Sequence, residues 1–480
     1  MTDSTSLVSL TPAAIAVVEA IAAAGGRPLV VGGSVRDALL HRPGKDVDLE
    51  VHGHTGVAEV TSRLSVLGHV NHRGQAFGVL AIKVGGQDFD ISFPRRDSIA
   101  GAGIRGSGID VDPNLSVEEA FGRRDFTINA MGWDPLTGEF IDPYDGAADL
   151  RAGILRHTTA SFREDPLRVL RAVQFAGRFR FVLAPETVVE CRDITAAIAR
   201  GGGLRDAVSL ERVWQEWRKL ARRATAWTNA MDSLVDTGLI QFYPELAATR
   251  GVEQDPGWHA EGDVWTHLTL AAEQAALNAE RDCLSGTERE VAVLGAFVHD
   301  LGKVTHTQNT DGRITSRGHA AAGVAPATAF LRSIGAPHHL ITRITPIVRE
   351  HMSHIGIVQP TPSHVRRLIR RLDTNGAGAS IHDWARVVDA DCAGRGPSAK
   401  PSPANRWLDV AANTTVGDAP RKGILTGEHL IARGYIPGPE FKPLLSAALD
   451  AQDDGSIHDE ASALAWLDEY EANHIETEVP

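Results

Sequence analysis

Cysteine is nearly absent from this chain: three occur in 480 residues, Cys191, Cys283 and Cys392. An odd, widely spaced set excludes a disulfide framework and fits a reducing cytoplasm. No run of about 18 apolar residues occurs, so no membrane span is expected. Met1–Leu10 is rich in Ser and Thr and lacks a cationic patch ahead of an apolar core, unlike a secretory leader. Basic charge is also short, with 48 Lys and Arg against 61 Asp and Glu, for a net −13. That argues against a chain whose whole surface neutralises phosphate, though it leaves room for a local basic groove. A hydrophobic content of 43% excludes disorder of the whole chain.

What is present divides into segments. At roughly 150 residues per domain the length implies about three compact units. Breaks rich in Pro, Gly and Ser fall at Ser98–Ser116, Gly201–Gly203 and Gly394–Pro403. Leu29–Val31, Val47–Val51, Val79–Val84 and Phe89–Phe93 read as strands, and beyond Phe162 the pattern is helical almost to the end. The expected architecture is α+β, a mixed head followed by a helical body. Expected boundaries are 1–150 for the head, 151–250 for a helical neck, 251–400 for a histidine-rich domain and 401–480 for a C-terminal helical segment. From Asp453 to Pro480 there are nine acids and no Lys or Arg.

The first chemical motif is Gly32-Gly33-Ser34-Val35-Arg36-Asp37-Ala38-Leu39-Leu40 after the strand Leu29–Val31. Ser34 reads as a helix N-cap. Glycines let a phosphate approach the backbone, and a helix start presents free N–H groups. Next comes Asp46-Val47-Asp48 in a strand, where residues two apart share a face. Two carboxylates on one face suit one or two Mg²⁺ ions. Asp90 is expected to complete the set from a neighbouring strand, with Phe89 and Ile91 facing the other way.

This order strongly resembles the bacterial and eukaryotic class II tRNA nucleotidyltransferases and their poly(A) polymerase relatives, of the polymerase-beta-like superfamily. Three more stretches carry the likeness: Arg123–Ala130, Asp142–Leu150 and Glu164–Arg171. Leu425–Glu428 and Pro437–Phe441 also resemble bacterial members. Glu50 and His52 after the aspartates, and Gln174, depart from the pattern.

The resemblance implies that Asp46 and Asp48 hold Mg²⁺ and that Asp90 positions a primer 3′-hydroxyl for attack on an α-phosphate. It implies nucleotide contacts from Gly32, Gly33, Ser34, Arg36, Arg124, Asp125, Asn129, Asp165, Arg168 and Arg171. Asp165 and Arg168, three apart on a helix face, would offer an acceptor beside a donor fork. That pattern suits cytosine and adenine and mismatches guanine and uracil. The glycine-rich stretch between Asp97 and Arg123 corresponds to a flexible loop.

A second motif is Phe297-Val298-His299-Asp300-Leu301-Gly302-Lys303. With His267 upstream and His319, His351 and Asp391 downstream, it resembles the HD phosphohydrolase superfamily. The resemblance implies one divalent metal on His267, His299, Asp300 and Asp391, and a second on His319 and His351. His259 and His354 stay unassigned.

Expected partners are tRNA, ATP and CTP, with no membrane. Arg218, Lys219, Arg222 and Arg223, together with Arg205 and Arg212, are one candidate RNA surface. Arg366, Arg367, Arg370 and Arg371 are another. Either set also reads as a solvated face. The function implied is CCA addition to tRNA with a metal-dependent phosphatase or 2′,3′-cyclic phosphodiesterase. A CC-only or A-only enzyme, a poly(A) polymerase, a phosphohydrolase with an inactive head, and a non-catalytic RNA-binding module remain alternatives. Removing the nine acids of the tail leaves −4 for residues 1–452, so much of the negative charge is an end effect.

Overall fold

A computed structural model describes residues 7–42, 44, 47–53, 56–71, 79–97, 109–112, 114–373, 376, 378–396, 399–413 and 422–475. Asp46 and most of the expected glycine-rich loop lie outside these residues. The chain forms two compact units: residues 1–208 with 232–239, and residues 209–231 with 240–480.

The first unit is built on a seven-stranded mixed sheet. In chain order it contains α1 (Pro12–Ala23), β1 (Arg27–Val31), α2 (Gly33–Leu39), β2 (Asp48–His52), α3 (Val57–Leu64), β3 (Val70–Asn71), β4 (Val79–Val84) and β5 (Gln87–Ser92). A separate ribbon, β6 (Arg95–Asp97) with β7 (Ile109–Val111), precedes α4 (Val117–Gly122), β8 (Gly132–Trp133) and β9 (Phe140–Ile141). The strand order is β3-β4-β5-β2-β1-β8-β9. The β2–β5 pairing is parallel, and the other pairings in this sheet are antiparallel.

The strand alternation expected from sequence holds. Phe89 and Ile91 are buried while Asp88 and Asp90 are exposed, as a half-covered strand requires. Leu29, Val31, Ala120, Phe121 and Ala130 pack as a core cluster. The unit continues with α5 (Gly146–Ala152), β10 (Ile154–Leu155), α6 (Leu167–Phe179), β11 (Val182–Leu183), α7 (Pro185–Arg200) and α8 (Leu204–Ala207). Asp142 accepts the first free N–H groups of α5, from Gly146 and Ala147, at 2.7 and 2.9 Å. The head thus runs as one body well past residue 150.

The second unit holds α9 (Leu210–Arg223), α11 (Pro244–Ala247), α12 (Val264–Arg281), α13 (Gly286–Val298), α14 (Lys303–His306), a hairpin of β12 (Gln308–Thr310) and β13 (Arg313–Thr315), α15 (His319–Ala322), α16 (Val324–Ser333) and α17 (His338–Glu350). It ends with α18 (Pro362–Leu372), α19 (Ile381–Ala393), α20 (Ala404–Asn413), α21 (Gly427–Ala432), α22 (Phe441–Asp454) and α23 (Glu460–Ile475). Helix α10 (Trp227–Asp236) gives residues to both units.

Helix α13 is buried on every side from Arg289 to Val298, which is why its sequence is apolar all round rather than on one stripe. Trp217, Trp227 and Phe330 pack on Phe297 with centroids 6.3, 4.9 and 5.9 Å away. This holds the C-terminal end of α13, where His299-Asp300 emerges, in one place. Residues from Leu425 to Leu467 form a smaller core of their own. No helix among the described residues is long and apolar enough to cross a membrane.

Candidate functional site

In the head, Asp48 opens β2 and lies in register opposite Asp90 on the parallel strand β5. Both side chains are exposed, and the strands beneath them are buried. The expected third acid on a neighbouring strand is therefore where sequence placed it. Two exposed carboxylates side by side offer hard oxygen ligands, the donor set a Mg²⁺ site needs.

The glycine turn serves this edge. Gly32 has φ 65° and ψ −123°, a conformation that L residues rarely adopt. A Cβ there would stand 2.7 Å from Arg124 Nη1. Ser34 is not the N-cap expected from sequence; Gly32 occupies that position. Ser34 instead accepts the backbone N–H of Asp48 at 3.1 Å, tying α2 to the start of β2.

The residues expected to touch nucleotide divide into two groups. Arg36, Asp125 and Asn129 are buried and spend their hydrogen bonds on one another. Arg36 Nη1 donates to Asn129 Oδ1, and Asn129 Nδ2 donates to Asp125 Oδ1 at 2.8 Å. Arg171 grips Asp125 Oδ2 from Nε and Nη2 at 2.8 and 2.6 Å. Burial would raise the Asp125 pKa, but Arg171, Asn129 and the Phe126 N–H together hold it below the usual carboxylate value. Arg36 also pairs with Asp37 at 2.7 Å and lies over the Phe179 ring at 4.6 Å. Its guanidinium is engaged within the fold, with Nη2 3.5 Å from the Cβ position of Gly33 in the glycine turn.

In the second group, Arg124 and Arg168 line a cavity of about 260 Å³ together with Arg95, Arg123, Glu50 and Ser92. Arg124 Nη2 donates to Glu50 Oε2 at 2.9 Å, and Glu50 Oε1 meets His52 Nε2 at 2.8 Å. The two departures noted in sequence are thus a buried brace for Arg124. Arg168 donates to the carbonyls of Ser161 and Arg123, each at 2.7 Å.

Asp165 does not sit on the helix with Arg168. It precedes α6 in an extended conformation (φ −127°), because the following Pro166 disfavours helical geometry before it. Its Oδ1 accepts the Leu167 N–H at 3.1 Å.

The second unit gathers the four histidines and two aspartates of the second motif, His267, His299, His319, His351, Asp300 and Asp391. His267 Nε2 and His299 Nε2 are 3.3 Å apart, and Asp391 Oδ1 lies 3.2 Å from His267 Nε2. His319 Nε2 and His351 Nε2 are 3.1 Å apart, with Asp300 Oδ1 at 3.0 and 3.4 Å. Each imidazole turns its Nδ1 to an oxygen: Glu261 for His267, and the carbonyls of Ala296, Ser316 and Val348 for His299, His319 and His351. A carbonyl only accepts, so those Nδ1 atoms donate, and in the neutral imidazole each Nε2 then presents a lone pair toward the others.

Converging lone pairs and carboxylates in a buried space call for a cation. Asp300 Oδ1 is itself buried and receives no hydrogen bond. Burial would raise both carboxyl pKa values. Lys303 and His299 overcome this at Asp300, and His267, His299 and Arg395 at Asp391, so both stay well below the ordinary value and remain ionised. The residues present fit one or two divalent metals.

Three positioning residues received no role from sequence, although Lys303 closes the His299–Lys303 motif. Glu261 Oε1 is shared by His259 Nδ1 and His267 Nδ1 at 2.8 and 2.7 Å. Lys303 Nζ lies 2.6 Å from Asp300 Oδ2, and Arg395 donates from Nη2 to both Asp391 oxygens at 2.9 and 2.8 Å.

The expected RNA surfaces are largely engaged within the chain. Arg218 and Arg222 both pair with Glu290 Oε1, and Lys219 pairs with Glu216 at 2.8 Å. Arg223 is exposed. Arg366, Arg367 and Arg370 bind the end of α22 through the Asp453 carbonyl, Asp454 and Asp450, and Arg371 pairs with Glu350 at 2.8 Å. Acids at the end of α22, Asp450, Asp453 and Asp454, thus pair with Arg367 and Arg370.

A head of this topology with its paired strand aspartates defines a nucleotidyltransferase, and residues 29–156 match the family model for the poly A polymerase head domain. The chain is 36% identical over 371 residues to the multifunctional CCA protein of Xanthomonas oryzae, covering 76% of this chain and 85% of that one. Its match to the Acinetobacter baumannii multifunctional CCA protein is 31% over 428 residues, covering 86% and 97%. The chain belongs to the multifunctional CCA protein family. Its fold is that of the Bacillus stearothermophilus CCA-adding enzyme solved with CTP, with TM-score 0.65, 23% identity and coverage of 98% and 100%. The Thermotoga maritima CCA-adding enzyme complexed with tRNA shares it at TM-score 0.53 and 20% identity, over 94% of each chain.

Proposed function

We propose that the chain adds C and A nucleotides to the 3′ end of tRNA without a nucleic-acid template, consuming CTP and ATP and releasing pyrophosphate. The observation that carries this reading is the register pairing of Asp48 with Asp90 in a head whose cavity is lined by arginines. Relatives named as multifunctional CCA proteins support it.

Asp46 and Asp48 are the residues to hold Mg²⁺, which when bound makes the primer 3′-hydroxyl a better nucleophile and offsets charge on the leaving pyrophosphate. Asp90 orients that hydroxyl. Arg124 and Arg168 face the nucleotide, Arg168 acting with Asp165 as a base-sized acceptor and donor pair. Arg36, Asp125, Asn129 and Arg171 keep this wall in place from behind. The low cysteine content supports a cytoplasmic setting.

The test offers the protein tRNAs ending before CCA, after C and after CC, with each triphosphate, and sequences the 3′ ends. Two C additions followed by one A uphold the reading. A stop after CC, a long A tail or no extension each replace it.

The buried histidine–aspartate cluster favours a second activity, a phosphohydrolase that removes a 3′-phosphate or opens a 2′,3′-cyclic phosphate. His267, His299, Asp300, His319, His351 and Asp391 would hold the divalent metal, which when bound supplies a water of lowered pKa. Glu261 and the three carbonyls keep the imidazoles aimed. His299→Ala is expected to abolish metal-dependent phosphatase activity and spare nucleotide addition. Loss of both in a folded protein overturns the assignment in favour of a structural metal.

A further inference from the structure

Trp258 stands in the loop that carries His259 and Glu261, and it is 52% exposed. Of the other indoles of this unit, Trp217, Trp227, Trp384 and Trp407 are fully buried, and Trp265 and Trp466 are partly so. Lys400 Nζ lies 3.5 Å from the centre of the Trp258 ring.

Each partner has a neighbour in sequence that lies close to the histidine–aspartate cluster. The ring of His259 packs edge-on against that of His267 with centroids 4.7 Å apart. Gly396, four residues before Lys400, has its open Cβ position 3.8 Å from Glu261 Cβ. The loop itself is held: Trp258 and His259 donate their N–H groups to Asp255 O at 3.0 and 2.9 Å, and Gly257 donates to Asp255 Oδ1 at 2.9 Å. An exposed indole with an ammonium over one face of its ring, in the loop that carries His259 and Glu261, matches what a nucleotide presents: a flat base and an anionic link.

The geometry points to Trp258 and Lys400 as a platform for the 3′-terminal nucleotide of an RNA, with the base stacked on the indole face opposite Lys400 and the ammonium on the adjoining phosphodiester. This rests on the phosphohydrolase reading above and names its substrate as a nucleotide end rather than a free phosphate ester.

The experiment compares wild type, Trp258→Ala, Trp258→Phe and Lys400→Ala as full-length, metal-loaded protein. Substrates are adenosine 2′,3′-cyclic phosphate, the same cyclic phosphate on 1-O-methylribose with no base, and a trinucleotide ending in the cyclic phosphate. Trp258→Ala is expected to raise KM for the adenosine compound by roughly 5- to 100-fold, the usual effect of losing one base–aromatic stack. Its kcat and its kinetics on the baseless compound should hold, and Trp258→Phe should recover most of the loss. Lys400→Ala should raise KM for the trinucleotide and spare the mononucleotide. Equal changes on compounds with and without a base, or no change at all, overturn the proposal.

A separate arm needs no hydrolysis. Adenosine 3′-monophosphate should quench tryptophan fluorescence in wild type and not in Trp258→Phe. If no substrate is hydrolysed but this difference persists, the hydrolase reading falls and the platform stands. If hydrolysis is normal and the difference is absent, the platform falls alone.

Discussion

Gly32→Ala separates the backbone requirement of the head from its electrostatic one. The turn cannot relax, because Gly32 N donates to Met131 O and Gly32 O accepts from Arg36 N, both at 3.0 Å. Alanine must therefore take φ near 65° with ψ near −123°, at a cost of about 1–3 kcal/mol. For a unit of this size each kcal/mol lowers the melting temperature by about 2–4 °C. The new Cβ also meets Arg124 Nη1 at 2.7 Å, closer than real contacts allow, so the guanidinium must move. Arg124 then loses alignment with Glu50 Oε2 and with the cavity it lines.

Gly25→Ala is the matched control. Its φ is +82°, and nothing stands within 4 Å of its Cβ position, so it adds strain without displacing a charge. Both variants should lower the head's melting temperature. Only Gly32→Ala should also lower kcat/KM for CTP and ATP, by about ten-fold or more, since a displaced cationic contact costs about 1.5–3 kcal/mol. Steady-state incorporation on a tRNA lacking its last residues measures this. Wild-type kcat/KM in folded Gly32→Ala, or an equal loss in Gly25→Ala, refutes the account of the turn.

Three further outcomes are expected. Glu261→Gln should weaken divalent-metal binding by about 10- to 100-fold in a competition titration, because the carboxylate that orients His267 loses its charge; unchanged affinity removes Glu261 from that role. Asp383 is buried at the start of α19, where burial would raise its pKa, but Arg343 and the Ser380 cap hold it below the usual carboxylate value. Its contribution is therefore present above the unfolded value near 4 and lost as pH falls through the depressed value. The stability gap between wild type and Asp383→Asn should shrink on acidification, and a constant gap from pH 7 to 3 contradicts this. Arg370→Ala should leave tRNA affinity unchanged and cost about 0–1 kcal/mol, since its partners Asp450 and Asp453 lie within the chain. A ten-fold weaker tRNA complex in the folded variant would return α18 to the RNA surface.

Local pattern was enough to reveal much of this molecule. Alternating burial in Asp88–Ser92 follows from the two-residue period of a strand, and the all-round burial of α13 follows from an apolar run of helical length. The residues proposed to hold metal stood out in sequence because adjacent His-Asp, and Asp-x-Asp after a glycine turn, are spacings that offer several donors to one cation. Their convergence could be expected but not measured from sequence.

Tertiary structure decided what each charge does. Arg36, Asp125 and Asn129 stand in a motif that resembles nucleotide binders, yet they bond one another, because a buried charge is costly unless another buried group satisfies it. The arginines of α18 looked like an RNA face until Asp450, Asp453 and Asp454 came to meet them from about 80 residues away. Glu261 and Trp258 carry no pattern at all, and only the packing of their loop beside His267 gives them a role. Residue type and period are local properties, so a single chain displays them. Whether a charge is spent inside or left for a ligand depends on partners distant in sequence, and only the folded chain brings those partners together.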